Sequence, residues 1–382
     1  MKRVLLVVDP ILGSNGAEGV QYQLVRSLAS RLTPSFAVSV YSPYCAADSQ
    51  AGLRQAGCEV WFPRTRDFVG NRVSQRFLGA NESMLWAESW IQEASLGRNS
   101  SQAKLALEGQ SFDTVINASM TVPFPSNVWW IQGTPLDMTI EGMAENNLAA
   151  RLVGLLGRST IRRLDHRLFR RFTEWSDTII ANSVFLEELY RSRGVDVDGV
   201  VLTLKDFGDY RPATASPSRD YVLIYVGKET DGLDLEALHD AGVRIVGFGN
   251  KIPAVTRRKR ITDWIDFRGA VSEHELIRLY SNALFTLFPF SMEPLGWVPI
   301  ESMGCGTPVL TYSRQGPATT VVDGKTGWLV KDAAEMLSKA TELWNRKSTG
   351  ISPNDCMRRA DDFSVDRSAS DLIRWIHQSS FH

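Results

Sequence analysis

The chain has 382 residues, of which 43% are hydrophobic and 22% charged, and its formal net charge is −1. This composition belongs to a globular protein long enough for two ordinary domains, and it excludes a disordered chain. A charge so close to zero gives no global attraction to nucleic acid or to an anionic membrane. The 4 cysteines lack C-x-x-C or metal-type spacing, which favours reduced thiols in a cytosolic compartment over disulfides or a zinc site.

The amino-terminal run VLLVVDPIL follows two basic residues and so resembles a signal peptide, but we predict that it is a strand. Asp9 interrupts the run, and a glycine loop and an amphipathic helix follow. Elsewhere no apolar run approaches the roughly 18 residues that a membrane span requires. We therefore expect a soluble or peripheral protein.

The first half of the chain alternates short apolar runs with longer segments. Val20–Leu32 has apolar residues at helical spacing, and shorter helical patterns occur in Met84–Ile91 and Ala103–Leu107. This alternation implies a parallel sheet covered by helices on both faces. The predicted strands are Arg3–Asp9, Ala37–Tyr41, Glu59–Phe62, Thr114–Ala118, Val128–Gln132 and a buried strand within Trp175–Ser183.

A second alternation follows the segment Tyr210–Asp220, which is rich in Pro, Ser and Ala and predicts a domain boundary. We predict an N-terminal domain over residues 1–210, a C-terminal domain over 211–363 and a final helical segment over 364–382. The strands predicted in the second domain are Tyr221–Val226, Arg244–Phe248, Trp264–Phe267, Ala283–Phe288 and Val309–Tyr312.

The most specific pattern lies within Leu287–Val330. Pro299 predicts a first helical turn near Gly296–Ile300, and the glycines that follow predict that the helix ends after about two turns. A helix that starts directly after a strand and a loop offers its free N–H groups to an anion, usually phosphate. Glu293 and Glu301 flank this start, and their carboxylates suit sugar and ribose hydroxyls.

These residues resemble a known family. Glu293-Pro294-Leu295-Gly296, followed by Glu301-Ser302-Met303-Gly304-Cys305-Gly306-Thr307-Pro308-Val309, resembles the E-x7-E signature of retaining GT-B glycosyltransferases of the GT4 type, the glycosyl transferases group 1. The pair Gly316-Pro317 and the run Asp323–Val330 match that family's GP and DG-x-TG-x-LV elements.

The resemblance implies an α/β protein of GT-B fold, with two Rossmann-like parallel-sheet domains that face a cleft and a C-terminal helix that crosses back to the first domain. It also implies a hexosyltransferase-type enzyme (EC 2.4) that is cytoplasmic. Such an enzyme moves a sugar from a UDP- or GDP-linked donor to a hydroxyl of a glycan, lipid-linked or small-molecule acceptor. Retention at the anomeric carbon, and no need for a metal or another cofactor, follow from the same resemblance.

The donor-site residues implied by the resemblance lie at strand ends of the second domain. Glu293 would bind the sugar and Glu301 the ribose, while the helix start would hold the diphosphate. Lys228 follows Gly227 where relatives have G-R, and with Glu293 it is the predicted catalytic group. The remaining donor-binding residues are Gly16, Pro294, Leu295, Gly296 and Trp297.

Two departures from the family pattern put the donor site in question. A second phosphate-binding lysine is absent, because the acidic run Glu229–Gly232 stands in its place, and Lys205, Arg314 or another residue would have to substitute. Gln132, next to Gly133 near the donor sugar or acceptor, occupies a position where many relatives have histidine. The loop containing Gly16-Ala17-Glu18 matches the family's GGAE loop except at Asn15.

Two other kinds of protein remain open. A non-catalytic GT-B sugar-nucleotide binding subunit is favoured by the two departures and opposed by the intact glutamates. An inverting GT-B transferase would be expected to carry a catalytic His or Asp in the loop Gly13–Gly19, and no His is there.

The basic residues give one further prediction about partners. Arg151–Arg171 contains seven arginines among apolar residues, which fits either a peripheral contact with the inner face of a membrane or a solvated helix face. The run Arg257–Arg260 has no aromatic interleaving, so we predict a loop and no nucleic-acid binding.

Overall fold

The structure is a computed structural model that describes residues 1–13, 20–63, 82–135, 148–203, 205–227, 233–249, 261–290 and 293–379. The chain divides into two compact units. The first comprises Met1–Asp137, Gly157–Lys205 and Val365–His382, and the second comprises Met138–Leu156 and Asp206–Ser364. The segment Tyr210–Asp220 therefore lies inside the second unit.

The first unit is built on a seven-stranded sheet in which every neighbouring pair is parallel. Its order is β3-β2-β1-β4-β5-β6-β7, so the winding direction reverses between β1 and β4. The strands predicted from sequence are confirmed to within two residues, and only the short β7 was not anticipated. The strands are β1 (Lys2–Val7), β2 (Phe36–Tyr41), β3 (Glu59–Trp61), β4 (Thr114–Asn117), β5 (Ser126–Ile131), β6 (Ser176–Ala181) and β7 (Gly199–Val200).

Helices cover both faces of this sheet. On one face the apolar stripe of α1 packs with Leu372 and Ile376 of the C-terminal helix α14. On the other face Leu5 and Tyr41 pack with Ala103. The helices of this unit are α1 (Val20–Leu32), α2 (Ala47–Gln55), α3 (Glu82–Ser95), α4 (Gln102–Ala106), α5 (Leu148–Glu174), α6 (Val184–Arg191) and α14 (Val365–Ser379), with the first turns of α5 belonging to the second unit.

The second unit repeats this plan with a six-stranded parallel sheet of order β10-β9-β8-β11-β12-β13. A strand lies within each of the five predicted ranges, but two are shorter than predicted, because Trp264 ends a helix and the strand within Ala283–Phe288 begins at Thr286. Gly327–Val330, which the sequence analysis did not identify as a strand, forms the edge. The strands are β8 (Val222–Tyr225), β9 (Ile245–Phe248), β10 (Asp266–Phe267), β11 (Thr286–Phe288), β12 (Val309–Tyr312) and β13 (Gly327–Val330). The helices are α7 (Leu235–Asp240), α8 (Ile261–Trp264), α9 (Glu273–Asn282), α10 (Trp297–Gly304), α11 (Pro317–Thr320), α12 (Ala333–Arg346) and α13 (Pro353–Asp361).

The cysteines and the apolar character of the helices bear on the predicted compartment and on membrane spanning. All four cysteines are free and buried, in agreement with the predicted reduced thiols. Among the described helices, none combines the length and the apolar character that crossing a bilayer demands.

A buried ion pair ties α3 and α4 to α5 in the first unit. The side chains of Arg171 and Glu93 are only 5% and 1% exposed, and Nη2 of Arg171 lies 3.4 Å from Oε2 of Glu93. Arg171 also donates to the main-chain oxygens of Glu93 (2.7 Å) and Ser100, while Oε1 of Glu93 accepts the N–H of Gln102 at 2.8 Å. Burial raises the pKa of Glu93 to about 7, despite the opposing effects of the Gln102 N–H and Arg171.

This environment gives a testable pH dependence of stability. An unfolded glutamate loses its proton near pH 4.5, whereas folded Glu93 keeps it up to about pH 7. Between these values the folded state binds more protons, so its stability falls as the pH rises. We expect the free energy of unfolding in urea to decrease by on the order of 2 kcal/mol from pH 4.5 to 8 through this group.

The part of the slope that comes from Glu93 should be absent in Glu93→Gln, because the amide does not titrate in this pH range. Glu108→Gln, at an exposed position in the turn after α4, is the matched control and should keep the wild-type slope. Equal slopes in Glu93→Gln and the wild type would contradict the assignment.

Candidate functional site

The second sheet reverses its winding direction between β8 and β11, which places a crevice at the carboxyl ends of these strands. The loop that follows β11 leads into α10, so the start of this helix belongs to the same edge of the sheet. Open α/β sheets bind ligands at such an edge. The predicted residues Glu293, Pro294, Leu295, Gly296, Trp297 and Glu301 all lie on this one loop and helix.

A polar relay holds the loop over the sheet. Thr311 on β12 donates its hydroxyl to the main-chain oxygen of Phe288, the last residue of β11, at 3.0 Å. The side-chain amide of Gln315 donates to Thr311 Oγ1 at 3.3 Å, and its oxygen accepts the N–H of Glu293 at 3.1 Å. Gln315 is 3% exposed. The relay therefore fixes the position of Glu293 relative to two strand ends, and sequence reasoning missed both Thr311 and Gln315.

The carboxylate of Glu293 closes the loop on itself. Its Oε1 accepts the N–H of Gly296 at 3.1 Å, and Gly296 supplies no capping side chain to α10. Gly296 has φ +82°, a conformation that residues with a Cβ rarely adopt. The N–H of Gly296 is one of the groups that the sequence analysis predicted to bind phosphate, and here it donates to Glu293. The same hydrogen bond uses one acceptor position on Oε1 of Glu293.

Gly316 allows a second loop to approach the first. Its N–H donates to the main-chain oxygen of Glu293 at 3.0 Å. A Cβ on Gly316 would lie 1.9 Å from the main-chain oxygen of Pro294, which is far inside van der Waals contact. The family's GP element is therefore a packing requirement that fixes Pro294 and the buried Leu295.

Glu301 lies one turn into α10 and is 6% exposed. Its Oε2 accepts the phenol hydroxyl of the fully buried Tyr280 on α9 at 2.9 Å. Burial, and next the charge of Glu301, raise the pKa of Tyr280 well above its usual value, and Tyr210 is shifted in the same direction by the same causes. Burial, with Glu301 nearby, also raises the pKa of Cys305 to about 12. The phenols of Tyr280 and Tyr210 and the thiol of Cys305 are therefore uncharged at neutral pH and add no negative charge beside Glu301.

Aromatic rings surround the buried side of α10. The side chain of Trp297, at the first helical position, makes an edge contact with Phe207 at 6.3 Å between ring centroids. The contacts continue from Phe207 to Tyr210 (6.2 Å), to Tyr280 (6.4 Å) and to Phe248 (5.8 Å) at the end of β9. These ring contacts connect the start of α10 to α9 and to the end of β9.

Other predicted site residues lie elsewhere or outside the described chain. Gly227 follows β8, and a Cβ there would meet the rings of Phe290 and Tyr225 at 3.0 Å. Lys228, Gly16 and the acidic run Glu229–Gly232 fall outside the described residues, as does Arg257–Arg260.

Gln132 and Gly133 lie at the carboxyl end of β5 in the first unit. Oε1 of Gln132 accepts the hydroxyl of Thr203 at 2.5 Å, and its amide donates to the main-chain oxygen of Trp130 at 3.3 Å. The main-chain oxygen of Gly133 accepts the hydroxyl of Tyr190 at 3.1 Å. Both residues are therefore part of the hydrogen-bond network that ends this strand.

Part of the second unit is similar to known proteins. Residues 233–361 match the sequence profile of the family described as Glycosyl transferases group 1. An alpha-1,3/1,6-mannosyltransferase of Dictyostelium discoideum is 36% identical over 107 residues, which are 27% of this chain and 25% of that protein. A GDP-mannose-dependent alpha-(1-6)-phosphatidylinositol dimannoside mannosyltransferase of Mycobacterium tuberculosis is 30% identical over 143 residues, 36% of this chain and 37% of that protein. The chain thus matches well under half the length of these relatives.

Solved structures resemble the chain over its whole length. Sucrose-phosphate synthase of Thermosynechococcus elongatus aligns with a TM-score of 0.69 at 15% identity, covering 99% of each chain. HepE of Anabaena in complex with UDP aligns with a TM-score of 0.62 at 16% identity, covering 98% of this chain and 100% of the other. At these identities the likeness concerns the fold, which is GT-B as predicted.

The geometry of the loop predicts the effect of a single methyl group. In Gly296→Ala the new Cβ combines an unfavourable φ with a 2.7 Å contact to Pro317. We expect unfolding measurements to show a loss of about 3 kcal/mol, from strain of 1–2 kcal/mol and from overpacking. Gly242→Ala is the control, because Gly242 has φ +76° with no atom within 4 Å of the added Cβ, and should lose only the strain. Equal losses of unfolding free energy in the two variants would show that Pro317 moves away from the new Cβ without a cost in stability.

Proposed function

We propose that the protein transfers a sugar from a nucleotide diphosphate donor to an acceptor hydroxyl, because residues 233–361 match the family described as Glycosyl transferases group 1. The observation that carries the proposal is the pair of glutamates around the start of α10, at the sheet edge where open α/β sheets bind ligands. In this scheme the predicted C-terminal domain (residues 211–363) binds the donor, and the predicted N-terminal domain (residues 1–210) serves the acceptor.

The chain's own groups have separate roles in this proposal. The start of α10, with Lys228, stabilises the charge of the departing diphosphate through N–H groups and the helix dipole. Glu293, whose Oε1 accepts the N–H of Gly296, also accepts sugar hydroxyls in this proposal. Glu301 accepts the hydroxyls of the ribose. Both acids act as acceptors of hydrogen bonds, a role that suits ionised carboxylates.

The finer assignments rest on the family resemblance. We propose a UDP- or GDP-linked donor, retention at the anomeric carbon, no metal requirement, and a glycan or lipid-linked acceptor on the cytoplasmic side of a membrane. The mannosyltransferase of Mycobacterium tuberculosis is named as GDP-mannose-dependent, and HepE was solved with UDP, so these relatives support either base.

Nucleotide binding is the first test of the proposal. We expect either UDP or GDP, and not ADP, to raise the unfolding temperature, since a ligand at 100 times its Kd stabilises by about 2.7 kcal/mol. Glu301→Gln should weaken that nucleotide about tenfold to hundredfold, the range for a lost charge-assisted hydrogen bond of 1.5–3 kcal/mol. Isothermal titration measures the change.

Glu275→Gln is the matched control, because Glu275 lies in the same unit and its carboxylate is 3.3 Å from the guanidinium of the exposed Arg278. It should bind the nucleotide like the wild type. Retention is then read from the anomeric configuration of the product by NMR, with and without EDTA. The proposal fails if none of the three nucleotides binds at millimolar concentration.

A non-catalytic binding subunit is the second candidate. Two observations support this candidate. The side-chain oxygen of Gln132 is engaged by the hydroxyl of Thr203 within the same unit, and the second phosphate-binding lysine of the family is missing. The same titration separates the two candidates. Tight nucleotide binding without transfer or hydrolysis of any sugar nucleotide would favour the binding subunit.

The described part of α5 carries a basic stripe that supports the proposed membrane contact. Its members follow one face of the helix and are all exposed: Arg162, Arg163, His166, Arg167 and Arg170. Arg171, which the sequence analysis placed in the same set, is instead buried against Glu93. The side chains of Arg151 and Arg158 lie outside the described residues. We propose that the stripe contacts anionic lipid headgroups, whose charge it complements.

Vesicle binding tests this contact. Arg163→Gln/Arg167→Gln should bind vesicles of 30% phosphatidylserine about thirtyfold more weakly than the wild type, at about 1 kcal/mol per arginine. Arg278→Gln/Arg346→Gln removes the same charge from exposed positions on α9 and α12 and should bind like the wild type. Equal sedimentation of all three proteins would identify the stripe as a solvated face.

A further inference from the structure

The buried tyrosine beneath Glu301 has no role in the family resemblance described above. Tyr280 is fully buried on α9, and its hydroxyl donates to Oε2 of Glu301 at 2.9 Å. We infer that Tyr280 is a positioning residue for the donor site, which orients the Glu301 carboxylate so that it discriminates nucleotides by their ribose hydroxyls. This inference rests on the proposed function of Glu301.

The phenol is held in place by its surroundings. The main-chain oxygen of Tyr280 accepts the hydroxyl of Thr307 at 2.7 Å, which fixes the end of α9 to the turn after α10. Its ring contacts Phe248 on one side and Tyr210 on another, with centroids 5.8 and 6.4 Å away. A side chain packed in this way has one available rotamer, so its hydroxyl points at one place.

The direction of the hydrogen bond determines what Glu301 can do. A carboxylate has about four lone-pair positions, and Tyr280 occupies one position on Oε2. The two oxygens are therefore no longer equivalent, and rotation about the last side-chain bond of Glu301 would break the bond. A carboxylate held in one plane can accept two neighbouring hydroxyls at once, which is the geometry that a ribose presents.

The position of Glu301 on α10 is fixed independently of Tyr280. The hydroxyl of the next residue, Ser302, donates to the main-chain oxygen of Thr307 at 2.9 Å and lies 2.7 Å from Oγ1 of Thr286 on β11, whose proton it can accept. The helix backbone thus stays in place when the phenol hydroxyl is removed. Only the orientation of the carboxylate should change, so Tyr280→Phe is an informative substitution.

The test compares ribonucleotides with deoxyribonucleotides. Titrations use UDP or GDP, whichever binds the wild type, and its 2′-deoxy and 3′-deoxy analogues. We expect the wild type to bind at least one analogue about tenfold or more weakly, because a site built to bind a hydroxyl rejects ligands that lack it. Tyr280→Phe should bind the ribonucleotide about tenfold more weakly, bind the analogue as the wild type does, and so lose the discrimination.

Tyr221→Phe is the matched control. Tyr221 is also a buried tyrosine of the second unit, and its hydroxyl donates to the main-chain oxygen of Leu279 at 2.7 Å without contacting Glu301. It removes one buried hydrogen bond, as Tyr280→Phe does, and should keep the wild-type discrimination. A double variant, Tyr280→Phe with Glu301→Ala, should bind no more weakly than Glu301→Ala alone, because Tyr280 acts through Glu301.

Each outcome separates the inference from the proposed function. Equal weakening of the ribonucleotide and the analogues in Tyr280→Phe would reduce Tyr280 to a structural residue and overturn the inference, while the donor site stands. A wild type that binds the nucleotide without ribose discrimination would overturn it as well. If the wild type binds no nucleotide, the proposed function fails first. In turnover assays the inference predicts a raised KM for the donor and an unchanged kcat.

Discussion

The carboxyl edge of the second sheet depends on one polar relay, from Phe288 through Thr311 and Gln315 to the N–H of Glu293. The strands β11 and β12 end at this edge, and the main-chain oxygen of Phe288, at the end of β11, accepts a hydrogen bond from the Thr311 side chain. The relay satisfies this oxygen and, with the amide of Gln315, holds the loop that leads into α10. Because Gln315 is buried, breaking any link would leave polar atoms without partners away from water, at a cost of about 1–3 kcal/mol. The edge of the sheet and the candidate site therefore share a single set of hydrogen bonds.

The two glutamates around α10 differ in their burial and in the groups that donate hydrogen bonds to them. Glu293 is half-buried in a loop, and its carboxylate is a cap for Gly296. Glu301 is buried on the helix and is met by a neutral phenol that cannot ionise near neutral pH. Both carboxylates are thus oriented by the protein before any ligand arrives, which reduces the conformational entropy lost on binding. A preorganised acceptor is what recognition of sugar hydroxyls requires.

The parallel sheets could be predicted from the sequence because strands buried on both faces are continuous apolar runs, as in Val222–Tyr225. The edge strand Gly327–Val330 escaped because it carries glycine and exposes part of its side chains. At the candidate site, Glu293 and Glu301 were predicted from the helix start between them and from the family resemblance of the surrounding run, both of which are local in sequence. Tyr280 and Gln315 were not, since they lie 21 residues before Glu301 and 22 residues after Glu293 and meet them only through tertiary packing. Gln132 was predicted to lie near the donor sugar or acceptor, and its side-chain oxygen accepts the hydroxyl of Thr203, a contact over 71 residues that no local pattern reveals.

The close approach of Gly316 to Pro294 also has a bearing on how such proteins diversify. Because the two loops are in direct main-chain contact, neither can accept an insertion or an altered backbone path without a matching change in the other. The loop that contains Pro294 and the loop that contains Gly316 are separated in sequence by a helix and a strand, yet their backbones must change together. Recombination that exchanges donor preference between relatives would have to transfer the stretch from Phe288 to Pro317 as a block, with its crossover points placed outside it.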